Sequence, residues 1–257
     1  MLMIISPAKG MVRQEAEPAA KASPRFLREA HELACALRGL GPEGARVVWR
    51  CSERLAATCW EQLRTLPEDM LAPLTSLSPA VTSYVGIQYQ HLSPQVMDGR
   101  ELGWLDHHLR IVSGMYGLLG PFDGICPHRL EMQARLAVAG SRDLYGFWGS
   151  RIADALAADP SSDVVVNLAS QEYARAVLSR LAQDGPRQLT CSFFVARGQD
   201  GRLVQQATEA KAARGTFVRW AAERKIEDVE ELRDFDERGY LLDEALSDDR
   251  TLAFVRR

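Results

Sequence analysis

The sequence predicts an α+β fold, with one domain over residues 1–257 and a mixed β-sheet flanked by helices. Three observations predict it. Amphipathic helical patterns alternate irregularly with short β-branched runs, without the strict order of a repeating βαβ chain. No internal repeat or low-complexity linker divides the chain. The apolar share of 46% and the charged share of 25% are ordinary for a globular chain of 257 residues, which is long enough to bury a substantial core.

Residues 1–5 are an apolar run ended by Ser6-Pro7, which predicts a first strand. Residues 10–22 are polar and alanine-rich and predict a loop. Ser23-Pro24 supplies a cap and a proline for the first turn of a helix. That helix carries Phe26, Leu27, Ala30, Leu33, Ala34 and Leu37 on one face and stops at Gly39 and Gly41. Residues 47–63 predict a second helix and 66–79 an irregular, proline-punctuated stretch. A helix over 102–109 leads into a strand at 110–112. A glycine segment follows, then a strand over 129–136. Asp143 caps a predicted helix to residue 158, with Leu144, Phe147, Trp148, Ile152 and Leu156 as its stripe. Residues 164–168 are the clearest strand pattern in the chain. Ser170 caps the next helix, which runs to 181. Residues 188–197 and 202–207 form a hairpin about a turn at 198–201. A helix over 211–225, a short one over 228–234 and two short strands complete the pattern.

The composition excludes several classes. No window approaches the length of a membrane span, and the N-terminal apolar run lacks a basic flank, so a cytoplasmic protein with no membrane partner is expected. Cys35, Cys51, Cys59, Cys126 and Cys191 are scattered and odd in number, which argues against a disulfide framework or a structural zinc site. Cys126, beside Pro127, is the one thiol weighed as reactive, with Arg129 as its nearest fixed charge in sequence. His107-His108 point apart on a helix, so no metal and no cofactor are expected. The net charge is −3, but it is unevenly spread. Residues 205–225 are basic, through Lys211, Arg214, Arg219, Arg224 and Lys225. Residues 226–250 hold eleven carboxylates against three arginines.

The most informative stretch is Ser113-Gly-Met-Tyr-Gly-Leu-Leu-Gly-Pro-Phe-Asp123, followed by Pro127-His-Arg-Leu-Glu-Met132. Glycines at spacing three permit positive φ and close backbone approach, and Pro121 halts any helix. A helix-hairpin-helix-like element that offers backbone N–H groups to phosphate has this build. A buried glycine-rich turn has it equally, and the residues leave both open.

The same stretch resembles the signature of the peroxide stress response YaaA family. Further matches follow in order: Met3-Ile-Ile-Ser-Pro-Ala-Lys9, Asp143-Leu-Tyr-Gly-Phe-Trp-Gly149, Asn167-Leu-Ala-Ser-Gln-Glu-Tyr173, and Ala210-Lys-Ala-Ala-Arg-Gly215 with Arg219. Gly239-Tyr240 and Leu252-Ala-Phe254 also fit, so the resemblance spans the chain. It implies a cytoplasmic protein induced by hydrogen peroxide that binds DNA, limits oxidative damage and is linked to lower free iron. The chain also departs from the family pattern. Ile87 and Ser150 stand where the family has acids, Gly120 where it has a basic residue before proline, and Arg175 where it has lysine.

Two strand ends carry polar residues, Ser6-Pro-Ala-Lys9 and Asn167-Leu-Ala-Ser170. Ligands of open sheets bind beyond such carboxyl ends, and a helix N-terminus at Ser170 favours an anion. If those strands are neighbours, Lys9 and Ser170 share one phosphate. Lys211, Arg214 and Gly215 lie on one side of a helix, and Arg129 and Glu131 on one face of an extended segment. Together with the resemblance, these residues predict double-stranded DNA as the partner, bound through a basic cleft and the glycine hairpin. The contact residues are Lys9, Arg110, Gly114, Tyr116, Gly117, Arg129, Ser170, Lys211, Arg214 and Arg219. The alternative is an enzyme acting on a nucleotide or similar small anionic ligand, with Lys9, Glu131, Asn167, Ser170, Lys211 and Arg214 converging in a mixed-charge cleft. A third reading is a regulatory protein whose acidic 226–250 segment meets a partner. A long open basic groove marks DNA binding; an enclosed pocket of mixed charge marks a small ligand.

Overall fold

A computed structural model describes residues 1–13, 18–198 and 201–257. Among them, an eight-stranded mixed sheet runs through the centre. Its strands are β1 (Leu2–Ile5), β2 (Leu109–Ser113), β3 (Gly117–Leu119), β4 (Val164–Asn167), β5 (Arg187–Arg197), β6 (Arg202–Val204), β7 (Tyr240–Leu242) and β8 (Thr251–Arg256). They lie in the order β7-β8-β5-β4-β1-β2-β3, and β6 folds back on the far end of β5. β2, β1, β4, β5 and β8 are mutually parallel, whereas β3, β6 and β7 each pair antiparallel with a neighbour. β1 is buried along its whole length, which explains why it reads as an unbroken apolar run.

Helices α1 (Leu27–Gly39), α2 (Gly41–Trp49), α3 (Glu53–Asp69), α4 (Ile87–Leu92), α5 (Gly99–His108), α6 (Leu144–Trp148), α7 (Arg151–Ala157), α8 (Gln171–Leu178) and α9 (Ala207–Arg224) flank this sheet. The mixed sheet with flanking helices is the architecture the sequence predicts. Buried residues form one continuous hydrophobic cluster. At one end of it Phe193, Phe217, Trp220, Phe235 and Phe254 pack ring on ring.

Several elements differ from expectation, each for a local reason. Helix α1 starts at Leu27 rather than after Ser23. The expected helix over 47–63 is two helices, because Arg50 adopts φ 48° and Ser52 then caps α3 by accepting from the Leu55 N–H. Asp143 does cap its helix, but Gly149 at φ 53° breaks it into α6 and α7. The strand expected over 129–136 does not form: residues 126–131 lie in no helix or strand, and a turn follows at 132–133. The loop expected over 10–22 contains a short strand, Gly10–Met11, paired with Tyr84–Val85. Its residues 14–17, and 199–200 of the expected turn, lie outside the described residues.

The glycine segment is the main correction. It is a β-hairpin formed by β2 and β3, not a helix-hairpin-helix. Residues 113–119 are all buried. Gly114 is required because a Cβ there would sit 2.5 Å from the Leu130 carbonyl oxygen. Gly117 has φ +70° and faces the Trp148 ring, which a Cβ would meet at 2.8 Å. Trp148 donates its Nε1–H to the Gly114 carbonyl at 3.0 Å. The Tyr116 hydroxyl is buried and accepts from the Cys126 N–H. Gly114, Tyr116 and Gly117 therefore hold the core together and are closed to DNA. Cys126 is buried too, and burial pushes its thiol up to about 11, against a reactive role.

Candidate functional site

β4 lies parallel beside β1, with Leu2 opposite Val165 and Ile4 opposite Asn167. The polar ends of both strands thus emerge at one edge of the sheet. The chain leaves β1 for β2 on one side and reaches β4 on the other, so this edge is a topological switch point, where open sheets hold ligands. A cavity of about 390 Å³ occupies it.

Three segments close around the strand ends. The first is Ser6–Gly10 itself, pinned by α4: the Tyr89 hydroxyl donates to the Ser6 carbonyl at 3.0 Å. Ser6 Oγ accepts the Ser170 N–H at 2.8 Å, which ties the β1 loop to the start of α8. Ser170 does not fold its own side chain back as a cap, unlike Ser52, Asp98 and Asp143 on their helices. The second is the irregular segment carrying His128, Arg129, Leu130 and Glu131, anchored by Trp49 Nε1 donating to the Arg129 carbonyl at 2.6 Å. The third is α9, which presents Lys211 and Arg214. Gly215 makes that approach possible, since a Cβ there would fall 2.0 Å from the Gln88 carbonyl oxygen of α4. The mid-helix glycine is explained by a packed neighbour.

The cavity is electrically mixed. Glu131 receives Lys9 at 2.9 Å and Arg129 at 3.1 Å. Lys9 is 68% exposed and Glu131 17%, so the lysine stands at the rim and the carboxylate below it. Glu172 accepts the Gln133 N–H at 3.1 Å. Burial pushes its carboxyl above the ordinary range and Glu131 adds to that, while the Gln133 N–H and Lys9 pull the other way. His128 is buried, and its Nδ1 lies 2.9 Å from the Cys126 carbonyl. A carbonyl only accepts, so Nδ1 carries the proton. Burial lowers the imidazole to about 4, leaving it neutral at pH 7. Arg214 forms no ion pair among the described residues, and its Nε is buried without a partner. Burial pulls its guanidinium below the ordinary value, and nearby Cys191 acts in the opposite sense.

The structure thus brings Lys9, Arg129, Glu131, Ser170, Lys211 and Arg214 around one cavity. Asn167 is not on it. That residue lines an adjoining cavity, which also includes Arg214. Arg110 and Arg219 lie elsewhere. Arg110 is clamped to Asp159 at 2.6 Å and to the Asp106 and Leu109 carbonyls. Arg219 pairs with Glu223 one turn along α9, at 2.7 Å. Both lie off the cavity and are paired with neighbours of their own. Of the two positions where the chain departs from family acids, Ile87 lines the cavity, while Ser150 hydrogen-bonds Asp154 away from it. Sequence reasoning missed Gln88, His128, Glu172 and Tyr173 as cavity residues. The latter three sit inside the motifs around Pro127 and Asn167, but nothing local in those motifs marks them as cavity residues. Among the described residues, no three His, Cys, Asp or Glu side chains form a group able to hold a metal ion, and no helix is long and apolar enough to cross a membrane.

Comparison with known proteins gives consistent results along the chain. A family model described as peroxide stress protein YaaA matches residues 1–246. A UPF0246 protein of Lactiplantibacillus plantarum is 41% identical over 255 residues, covering 99% of both chains. One from Limosilactobacillus fermentum is 40% identical over 257 residues, covering 100% of both. Another from Lachnoclostridium phytofermentans is 38% identical over 257 residues, covering 100% of this chain and 96% of the relative.

Proposed function

The chain belongs to the peroxide stress protein YaaA family, and on that premise we propose that it acts in the response to peroxide by binding a nucleotide-sized, phosphate-bearing ligand at the ends of β1 and β4. The observation that carries this is Arg214, a guanidinium in the cavity wall with no carboxylate partner among the described residues and a buried, unpartnered Nε. A half-buried charge without a counter-charge is costly, and an incoming oxyanion relieves that cost. Arginine offers phosphate a planar fork of N–H donors. Lys211 stands one turn away on the same side of α9, and Lys9 lies on the facing rim. A cavity of about 390 Å³ falls in the range of small-molecule sites, roughly 300–1,000 Å³. Mixed charge argues the same way. Glu131 and Glu172 would repel a continuous phosphate backbone laid along the floor, but suit a ligand with one anionic end and a polar body.

DNA is the second reading, favoured by the exposed Lys9 and Lys211 at the rim. Such contacts are sequence-independent. The cavity is too small for a duplex, so DNA engages by its backbone at the rim, or by one nucleotide turned out of the strand into the cleft. The glycine hairpin plays no part in either reading.

Titrations distinguish the two. Adenosine monophosphate, followed by calorimetry, is expected to bind the parent and to lose at least tenfold in affinity in Arg214→Ala. Fluorescent single-stranded and duplex oligonucleotides serve as the other arm, at low and raised salt. Strongly salt-dependent DNA binding that survives Arg214→Ala, with no binding of the mononucleotide, contradicts the first reading and leaves a rim-bound DNA backbone.

A further inference from the structure

Next to the cleft lies the second cavity, of about 380 Å³, where β5 runs on past the end of β4 and α8 begins. It is built from different chemistry. Arg175 of α8 and Arg214 of α9 line it, with the amides of Asn167 and Gln205 and the hydroxyls of Thr190 and Ser192. No carboxylate is among its lining residues. This contrasts with the cleft, where two glutamates offset the cations. Neither arginine forms an ion pair among the described residues. Arg175 is held over the Tyr145 ring at 4.8 Å, which fixes its stem without consuming its N–H donors. Asn167 is locked, accepting the Ala169 N–H at 3.0 Å and donating to Thr190 Oγ1 at 3.3 Å, so one Nδ2–H is left over.

We propose that this second cavity is a phosphate site of its own, which shares the Arg214 guanidinium with the cleft. The proposal rests on the cleft being a phosphate site itself. The loop after β4 then serves both: Ser170 faces the cleft and Asn167, three residues earlier, the second cavity. With Nε buried, the four Nη–H donors of one guanidinium suffice for an oxyanion on either side. The anion in the second cavity is either another phosphoryl group of the cleft ligand or a separate phosphate.

Inorganic phosphate is the first probe, followed through the arginine Nε–H NMR resonances. The Arg175 and Arg214 signals are identified by their loss in Arg175→Ala and Arg214→Ala. In the parent, both signals are expected to move. In Arg175→Ala, the Arg214 signal still moves, but its dependence fits one phosphate instead of two. In Lys211→Ala, which alters the cleft alone, the Arg175 signal moves at a phosphate concentration within twofold of the parent's. Pyrophosphate then separates the sources. One equivalent moving both signals means two phosphoryl groups of one ligand, and two equivalents mean separate anions. An Arg175 signal that stays fixed while Arg214 saturates overturns the second site and leaves the cleft standing. Both signals fixed at saturating phosphate overturn the second site and the cleft reading together.

Discussion

The glycine hairpin and the strand-end cleft both look, in sequence, like surfaces made for phosphate, yet in the structure they are opposites. The hairpin is sealed: its glycines press against Leu130 and Trp148, and Tyr116 is 1% exposed. The cleft is open, and it keeps a cation without a partner. Glycine spacing reports that backbone comes close to something. It does not say whether that something is the protein's own core or a ligand. Unpaired charge is the better discriminator, because the core cannot hold it cheaply.

The largest expected effect falls on the hairpin. Trp148 is fully buried and bonds Gly114, so Trp148→Ala should cost roughly 3–5 kcal/mol, a large part of a typical stability of about 5–15 kcal/mol. Thermal and denaturant melts check it; a variant as stable as the parent breaks the structural account of the hairpin.

A pH effect of similar size contrasts the two regions by sign. His128, in the cleft, has its folded pKa lowered to about 4 from an ordinary 6.5. Its contribution is present above pH 6.5 and is lost as the pH falls through 4, about 3 kcal/mol in all. Asp123, closing the hairpin, is raised by burial to about 6, so its contribution is present below its ordinary 3.8 and is lost as the pH rises through 6. The two oppose each other between pH 4 and 6. Denaturant melts across that window should show His128→Phe lessening the loss of stability on acidification, and Asp123→Asn making it steeper. Equal pH slopes in parent and variants contradict the burial of these groups.

Gly117→Ala should cost about 1–3 kcal/mol by overpacking against the Trp148 ring, and should leave nucleotide affinity unchanged in whatever fraction folds. Binding lost in proportion to the folded fraction agrees; binding lost in fully folded protein would restore the hairpin to the site.

How much of this was legible varies with the kind of signal. The central strands were readable because buried parallel strands show as unbroken apolar runs, as at residues 2–5 and 164–166. Helix breaks at Arg50 and Gly149 were not, since a single left-handed residue leaves the apolar period nearly intact. In the site, Lys9, Ser170, Lys211 and Arg214 were readable from strand ends and helical spacing. His128 and Glu172 were not, because nothing local marks a buried neutral histidine or an uncapped helix turn. That Arg110 and Arg219 stand apart from the cavity was not readable, because sequence shows a charge and hides its partner, here Asp159 and Glu223.

The smallest expected effect concerns Arg219. Its exposed pair with Glu223 is worth about 0.3–0.5 kcal/mol, so Arg219→Ala should barely shift the melt. Arg214→Ala should also melt near the parent, since it removes a half-buried charge that has no protein partner to lose.

The two arginines, five residues apart on α9, allow the most direct test of the central claim that unpaired charge marks the ligand site. Calorimetric titration of adenosine monophosphate into the parent, Arg214→Ala and Arg219→Ala, with each variant's melt recorded alongside, compares them under one condition. At least a tenfold loss of affinity is expected in folded Arg214→Ala, and parental affinity in Arg219→Ala. Equal affinities in all three folded proteins, or a loss confined to Arg219→Ala, would contradict that claim.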